Sequence, residues 1–267
     1  VEITRNGILA DSATGEDSAA FGTVDSARKT LIEDNRISGG SSGAGSTGID
    51  ASGTGSKTYV RNTIVGAMGG AAGFGIYLAN NTVNALVRAN VISGCGATPY
   101  TQVQSCRGIY DLGSGTQIIR NTVNGGSAMD DAVDASLALY SGEGADGTVV
   151  EGNLFFTSAG GTLGEGTSGR CVHVVDTANF QSFQDNDLFA CASRYFDESQ
   201  GEDAEVDFSE DAIFPESNTL VSWGNLEDID PGFVSNGANP GNTWSSDVNW
   251  RLTTGSPAEV RGGVGAA

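Results

Sequence analysis

The chain has 267 residues, of which 40 are glycine, 38% are hydrophobic and only 17% are charged. Glycine at about twice its average usage shows no three-residue period, which excludes collagen. Thirty-three acidic against 13 basic side chains give a net charge of −20, which argues against nucleic acid and anionic membrane surfaces as partners. No apolar run approaches the ~20 residues that a membrane span requires.

A repeat of about thirty residues runs along the chain. Each copy centres on an asparagine with an apolar residue two positions later and, except in the last copy, another three positions earlier. The spacing ranges from 27 residues, between Asn35 and Asn62, to 33, between Asn153 and Asn186. Such a period without a helical pattern predicts one β-solenoid coil per repeat, hence about eight coils. The asparagines are Asn6, Asn35, Asn62, Asn90, Asn121, Asn153, Asn186 and Asn218.

The recurring asparagine has a physical explanation. Stacked amides can hydrogen-bond along the solenoid axis as a ladder, and asparagine tolerates the left-handed backbone of a tight turn. The Gly- and Ser-rich segments 39–45, 66–73 and 158–166 occupy one phase of the repeat, so we expect them to form loops along one edge. A β-sandwich is the alternative, but its strands recur every 8–12 residues and do not explain the longer period.

The asparagine-centred repeat resembles the right-handed parallel β-helix of the pectate-lyase-like superfold, over roughly residues 1–220. The tail resembles the closing segment of secreted or surface-anchored bacterial β-helix proteins, through Asp230-Pro-Gly-Phe-Val, Trp250-Arg-Leu and Gly255-Ser-Pro-Ala. We therefore expect an all-β, right-handed parallel β-helix at 1–222, a capping segment at 223–267 in the same domain, and an extracellular or cell-surface location. The superfold hosts lyases, hydrolases, epimerases, adhesins and spikes, so it does not assign an activity.

Four cysteines fall into two pairs by their phase in the repeat. Cys95 and Cys191 each follow an asparagine of the repeat by five residues, while Cys106 and Cys171 lie near the start of a following strand. Of three connectivities, this phase favours Cys95–Cys106 and Cys171–Cys191. The closely spaced pairs of a structural zinc site are absent, so the cysteines predict disulfides and an oxidising compartment.

One column of side chains offers a candidate site. Each member follows an inward apolar residue 12–14 positions before an asparagine, and strand side chains alternate, so the column faces outward. The column could form a groove for glycans, with aromatic faces against the sugar. The preferred alternative is strand propensity, because tyrosine favours half-exposed β positions. The members are Asp50, Tyr77, Tyr110, Tyr140, His173 and Asp207.

The sequence favours a structural, adhesive or carbohydrate-binding role over catalysis. If the protein were a polysaccharide lyase, hydrolase or epimerase, Tyr110, Tyr140 and His173 would be the acid–base candidates and Arg170 the neutraliser of a substrate carboxylate. The signatures of the lyases and polygalacturonases of the superfold are missing. A third alternative is a self-associating fibre or spike subunit, because the N-terminal end shows no cap.

The acidic segment 192–213 suggests one metal site. Its calcium-binding interpretation uses clustered carboxylates, but the spacing matches no known calcium loop, so a solvated acidic loop is the preferred interpretation. No other cofactor is predicted. The candidate ligands are Asp197, Asp203, Glu205 and Asp211.

Overall fold

The computed structural model shows a parallel β-solenoid. It describes residues 1–10, 19–67, 71–95, 104–126, 135–157, 169–175, 178–198, 205–206, 221–223 and 225–227. Across these ranges there is no α-helix, and 24 strands form three eight-stranded sheets. The chain visits the three sheets in turn, and every pair but one is parallel. The predicted all-β solenoid is confirmed.

The three sheets are called A, B and C in the order in which the chain meets them. Sheet A comprises β1 (Glu2–Thr4), β4 (Lys29–Glu33), β7 (Ser56–Val60), β10 (Leu86–Arg88), β13 (Gln117–Ile119), β16 (Asp146–Glu151), β19 (Asn179–Gln184) and β23 (Val221–Trp223). Sheet B comprises β2 (Gly7–Leu9), β5 (Arg36–Ser38), β8 (Thr63–Ala67), β11 (Val91–Cys95), β14 (Thr122–Asn124), β17 (Leu154–Phe156), β20 (Asp187–Phe189) and β24 (Leu226–Glu227). Sheet C comprises β3 (Ala19–Asp25), β6 (Gly45–Ala51), β9 (Ala72–Leu78), β12 (Ser105–Asp111), β15 (Ser136–Ser141), β18 (Arg170–Val174), β21 (Ser193–Asp197) and β22 (Glu205–Val206).

An asparagine ladder runs along the turn between sheets A and B. The backbone N–H of each asparagine donates to Oδ1 of the asparagine in the next coil, at 2.8–3.0 Å. From Asn35 to Asn186, Nδ2 donates to the same Oδ1 and to a main-chain oxygen of the preceding coil. The ladder contains Asn6, Asn35, Asn62, Asn90, Asn121, Asn153, Asn186 and Asn225.

The last position of the ladder differs from the sequence prediction. Asn186 donates its backbone N–H and its Nδ2 to Oδ1 of Asn225, so Asn225 takes the place predicted for Asn218. Asn218 itself lies outside the described residues. The apolar pattern missed Asn225 because Ser222 precedes it by three residues and Glu227 follows it by two.

The left-handed backbone conformation belongs to the residue before each asparagine. The expectation that asparagine itself adopts it is wrong, because its side chain is engaged in the ladder instead. Among the described residues, glycine fills this turn position once, and the other side chains there are short or charged. The residues, with φ between 53° and 64°, are Arg5, Asp34, Arg61, Ala89, Arg120, Gly152 and Asp185.

Two columns of glycines lie where sheet B meets sheet C, which corrects the expectation that the glycines occupy loops. A Cβ atom on Gly75 would lie 2.4 Å from Cγ2 of Ile92 and 2.5 Å from the oxygen of Gly108, closer than real contacts allow. A Cβ on Gly66 would meet the backbone of Phe74 at 2.3 Å. The columns are Gly22, Gly48, Gly75 and Gly108 in sheet C, and Gly39, Gly66, Gly94 and Gly125 at the end of sheet B.

Both predicted disulfides are present. Cys95–Cys106 has a Cα–Cα distance of 5.6 Å, and Cys171–Cys191 one of 5.5 Å. Each joins a strand of sheet C to the end of a sheet B strand, at Cys95, or to the segment just after one, at Cys191, so the disulfides reinforce the same corner that the glycines keep narrow. The predicted cap at 223–267 lies outside the described residues except for 223 and 225–227.

Asp25 forms the buried corner at which the chain leaves β3. One carboxylate oxygen, Oδ1, accepts from the backbone N–H of Ala27 at 3.1 Å and from the Thr30 hydroxyl at 2.7 Å. The other, Oδ2, accepts from the Tyr59 hydroxyl at 2.7 Å. Nζ of the fully buried Lys57 lies 3.1 Å from Oδ1, so this carboxylate is paired with a cation.

Asp111 forms the matching corner at the end of β12, without a cation. It accepts from the backbone N–H of Gly113 at 2.9 Å and from the hydroxyls of Thr116 and Thr148 at 3.1 Å. Complete burial raises the pKa of Asp111 to about 6, and the three hydrogen bonds oppose the shift. In both corners the carboxylate accepts from the backbone N–H two residues later and from a threonine hydroxyl five residues later, and the corners differ in charge compensation.

Replacing Asn90 by alanine should lower the free energy of unfolding by about 3 kcal/mol, because two donors of Asn62, the oxygen of Tyr59 and Oδ1 of Asn121 each lose one hydrogen bond. Urea denaturation measures the change. Asn6→Ala is the matched control, because Asn6 is exposed at the end of the ladder. Equal losses in the two variants would contradict a stabilising role for the buried ladder.

The Asp111→Asn variant should gain stability relative to the wild type as pH rises. Folding raises the pKa of Asp111 from 3.8 to about 6, so the folded state holds the proton more tightly and the wild type loses stability over this interval. The relative gain of the variant should reach about 3 kcal/mol between pH 3 and pH 7. Parallel stability profiles of the two proteins across that range would contradict the prediction.

Candidate functional site

The outer face of sheet C brings the predicted column together. Asp50 pairs in register with Tyr77, Tyr77 with Tyr110, Tyr110 with Tyr140, and Tyr140 with His173. The three tyrosines are half-buried, and His173 is 6% exposed. Five of the six predicted residues therefore lie in one line along the solenoid axis.

A second row of side chains lies on the same face, three residues before the first. Phe74 precedes Tyr77, Arg107 precedes Tyr110 and Arg170 precedes His173 by this interval. Both rows face outward because the two residues between them, a small residue and an apolar one, face the interior. We call the combined surface the aromatic strip; it consists of Phe74, Tyr77, Arg107, Tyr110, Tyr140, Arg170, His173 and Phe196.

The tyrosine rings of the aromatic strip are stacked on each other. Tyr77 and Tyr110 have ring centroids 5.3 Å apart at an interplanar angle of 19°, and Tyr110 and Tyr140 are 4.5 Å apart at 15°. Phe74 meets the edges of this stack at 5.8 Å and 5.4 Å. Tyr110 therefore contacts a neighbouring tyrosine ring on each of its two faces. The expectation that ring faces would cover a sugar is not met for Tyr110, whose two faces are both occupied.

Arg107 places a positive charge beside the stack. Its guanidinium carbon lies 5.3 Å from the ring centroid of Tyr110 and 5.4 Å from that of Tyr140. It also lies 5.7 Å from the centroid of Phe74. Because both faces of Tyr110 are covered by Tyr77 and Tyr140, the guanidinium lies at the ring edges, next to rings of two coils.

His173 is held between a cation and a carboxylate. Nδ1 lies 3.1 Å from Nη1 of Arg170, and Nε2 lies 2.9 Å from Oε1 of Glu198. A guanidinium can only donate, so Nδ1 is the acceptor and Nε2 carries the hydrogen that is donated to Glu198. Arg170 also packs over the ring of Phe196, at 3.5 Å from its centroid. Both nitrogens of the imidazole are thus engaged.

The acid–base properties of the aromatic strip favour hydrogen bonding. Partial burial, followed by the neighbouring Tyr110, raises the pKa of Tyr140 above its ordinary value. Partial burial also raises the pKa of Tyr77 and, at the end of the column, that of Asp50. The phenols of Tyr77 and Tyr140 therefore keep their protons at neutral pH and act as donors as well as acceptors.

The sixth predicted position is occupied by Phe196 rather than by Asp207. His173 pairs with Phe196 in β21, and the inward residue beside it is Tyr195, which is buried against Phe183. The apolar residue before Asp207 is Val206, which instead pairs antiparallel with Tyr195. Asp207 lies outside the described residues.

The described residues contain no group of three or more side chains that could hold a metal ion. Of the four predicted ligands, Asp197 is buried at the end of β21, and Glu205 lies in β22. Asp203 and Asp211 lie outside the described residues, so the calcium site stays a prediction.

No family model, curated protein or solved structure matches this chain. The proposal about function therefore rests on the geometry of the aromatic strip.

Phe74, Phe196 and Glu198 were not predicted from the sequence. The second row of the aromatic strip nevertheless follows a pattern that the sequence contains. Four residues repeat as an outward residue, a small residue, an apolar residue and an outward residue. The copies read Thr47-Gly-Ile-Asp50, Phe74-Gly-Ile-Tyr77, Arg107-Gly-Ile-Tyr110, Leu137-Ala-Leu-Tyr140 and Arg170-Cys-Val-His173. Glu198 carries no such signal, because its contact with His173 joins different coils.

Tyr110→Ala should lower the free energy of unfolding by about 2 kcal/mol, because it removes two stacking contacts and the ring beside Arg107. Tyr110→Phe should change it by less than about 0.5 kcal/mol, because it keeps the ring. Chemical denaturation of both variants measures these values. Equally small losses would show that the stack does not stabilise the fold.

Proposed function

We propose that this protein is a non-catalytic, extracellular carbohydrate-binding module and that the aromatic strip is its binding face. The observation that supports this proposal best is the line of Tyr77, Tyr110 and Tyr140. Their hydroxyls recur once per coil on a half-exposed, rigid sheet. Polyhydroxylated chains are recognised by such repeated donor–acceptor groups. Arg107 and Arg170 add fixed guanidinium donors to the row.

The strip suits binding through ring edges and hydroxyls. Stacking fixes the orientation of each tyrosine before a ligand arrives, so little side-chain entropy is lost on binding. Strands of adjacent coils lie ~4.8 Å apart, which sets the repeat of the hydroxyls along the axis. An extended glycan lying parallel to the axis would meet one phenol per coil.

The surroundings of His173 support binding rather than catalysis. A general base needs an available lone pair near the proton that it removes. The only lone pair of the neutral imidazole is on Nδ1, which accepts from Arg170 at 3.1 Å. Tyr140 is no better a base, because its raised pKa keeps the phenol protonated at neutral pH.

Two disulfides support a location outside the reducing cytosol, where such bonds persist. The described residues contain no helix that is long and apolar enough to cross a membrane. A disulfide-bonded, rigid rod with a lateral binding face suits attachment to polysaccharide at a cell surface, which is the adhesive role that we assign to it.

A glycan array followed by titration calorimetry tests the proposal. Tyr110→Phe and Tyr140→Phe should each weaken binding of the best array ligand about fivefold to tenfold, because each removes one hydroxyl from the row. Gln117→Ala, on the exposed outer side of sheet A, is the control and should bind like the wild type. Absence of any array ligand, or unchanged affinity in both phenylalanine variants, would overturn the proposal.

An activity assay on the same ligands distinguishes a binding module from an enzyme. The wild type should leave them intact, without new reducing ends or unsaturated products, with and without added calcium. If the wild type cleaves a ligand and the His173→Gln variant does not, the protein is an enzyme and the proposal of a binding module is wrong.

A further inference from the structure

Lys57 is a fully buried amine that the proposed function does not use. It lies in β7 of sheet A, and its Nζ is 3.1 Å from Oδ1 of Asp25, a carboxylate whose side chain is 3% exposed. Nζ also donates to the main-chain oxygens of Asp25 at 3.2 Å and Ala27 at 2.5 Å. A primary amine and a carboxyl group thus share one dry corner of the solenoid.

The corner at Asp111 shows that this amine is not needed to build the turn. Thr30 pairs in register with Lys57, and the matching position in the other corner, after Thr116, is Thr148. The hydroxyl of Thr148 supplies the donor that Asp111 needs. A buried ion pair gives little or no net stabilisation over a neutral alternative, so the lysine calls for another explanation.

We propose that Lys57 and Asp25 condense into an intramolecular isopeptide bond. In the first step one proton moves from Nζ to the carboxylate oxygen 3.1 Å away, which leaves a neutral amine beside a neutral carboxyl group. Nζ then attacks Cγ of Asp25 and forms the C–N bond. The C–O bond to the protonated oxygen breaks, and that hydroxyl leaves as water with a second proton from Nζ. The amide nitrogen keeps one hydrogen, and no oxidant or reductant is required.

Tyr59 and Thr30 are placed to assist the condensation. The Tyr59 hydroxyl donates to Oδ2 at 2.7 Å, so it can stabilise the negative charge that develops there during attack. Burial, followed by the nearby Asp25, raises the pKa of Tyr59 and keeps this donor protonated. The Thr30 hydroxyl donates to Oδ1 at 2.7 Å, the oxygen next to Nζ. Both are positioning residues, because neither is altered by the reaction.

The bond would give the solenoid a third covalent link between strands. Asp25 ends β3 and Lys57 lies in β7, in different sheets and 32 residues apart. The two disulfides lie further along the chain, at Cys95–Cys106 and Cys171–Cys191. Unlike them, an amide would persist under reducing conditions.

Intact mass spectrometry of the reduced, denatured protein tests the bond. The wild type should weigh less than its sequence by one water molecule. Trypsin should not cleave after Lys57, so residues 37–61 should appear joined to residues 6–28 in one branched fragment. The full sequence mass, or separate fragments 6–28 and 37–57, would overturn the proposal.

Lys57→Thr is the matched control, because it rebuilds the Asp111–Thr148 corner at Asp25. It should show the full sequence mass and no branched fragment. A water loss that persists in this variant would mean that dehydration occurs elsewhere, for example in a succinimide, and would also overturn the proposal. The wild-type mass decides the question even if the variant does not fold.

Discussion

The fold depends on one constraint: a buried polar group in one coil must find its hydrogen-bonding partner in the next coil. The asparagine ladder meets this requirement with a single residue type, because the amide both donates and accepts along the axis. Asn90, for example, accepts from Asn62 and donates to Asn121 and to the backbone of Tyr59. Each coil thereby fixes the register of its neighbours, and the three sheets inherit that register.

Close stacking also determines where the chain can have side chains. The corner between sheets B and C is so narrow that Gly66 and Gly75 admit no Cβ atom, which accounts for part of the high glycine content. Toward the C-terminal part of the solenoid the same positions hold larger residues, such as Cys171 in the column of Gly75. The Cys171–Cys191 disulfide therefore lies where this glycine column has ended.

The sequence was sufficient for the features that repeat and insufficient for those that do not. The period, the ladder up to Asn186, the disulfides and the alignment of Tyr77 with Tyr110 all follow from regular spacing. Asn225 and Phe196 were missed because their flanking residues break the apolar pattern, although their backbones keep the register. The contact between His173 and Glu198 joins residues 25 positions apart and depends on packing that no local pattern encodes.

Register also decides the chemistry of the aromatic strip. Identical positions in successive coils lie about one ring spacing apart, so tyrosines placed there stack, and their faces are taken up by each other. Under the proposed function, a ligand would meet the ring edges of the strip at a fixed repeat. The stacking that stabilises the outer face of sheet C would then also favour an extended, polyhydroxylated ligand over a flat apolar one.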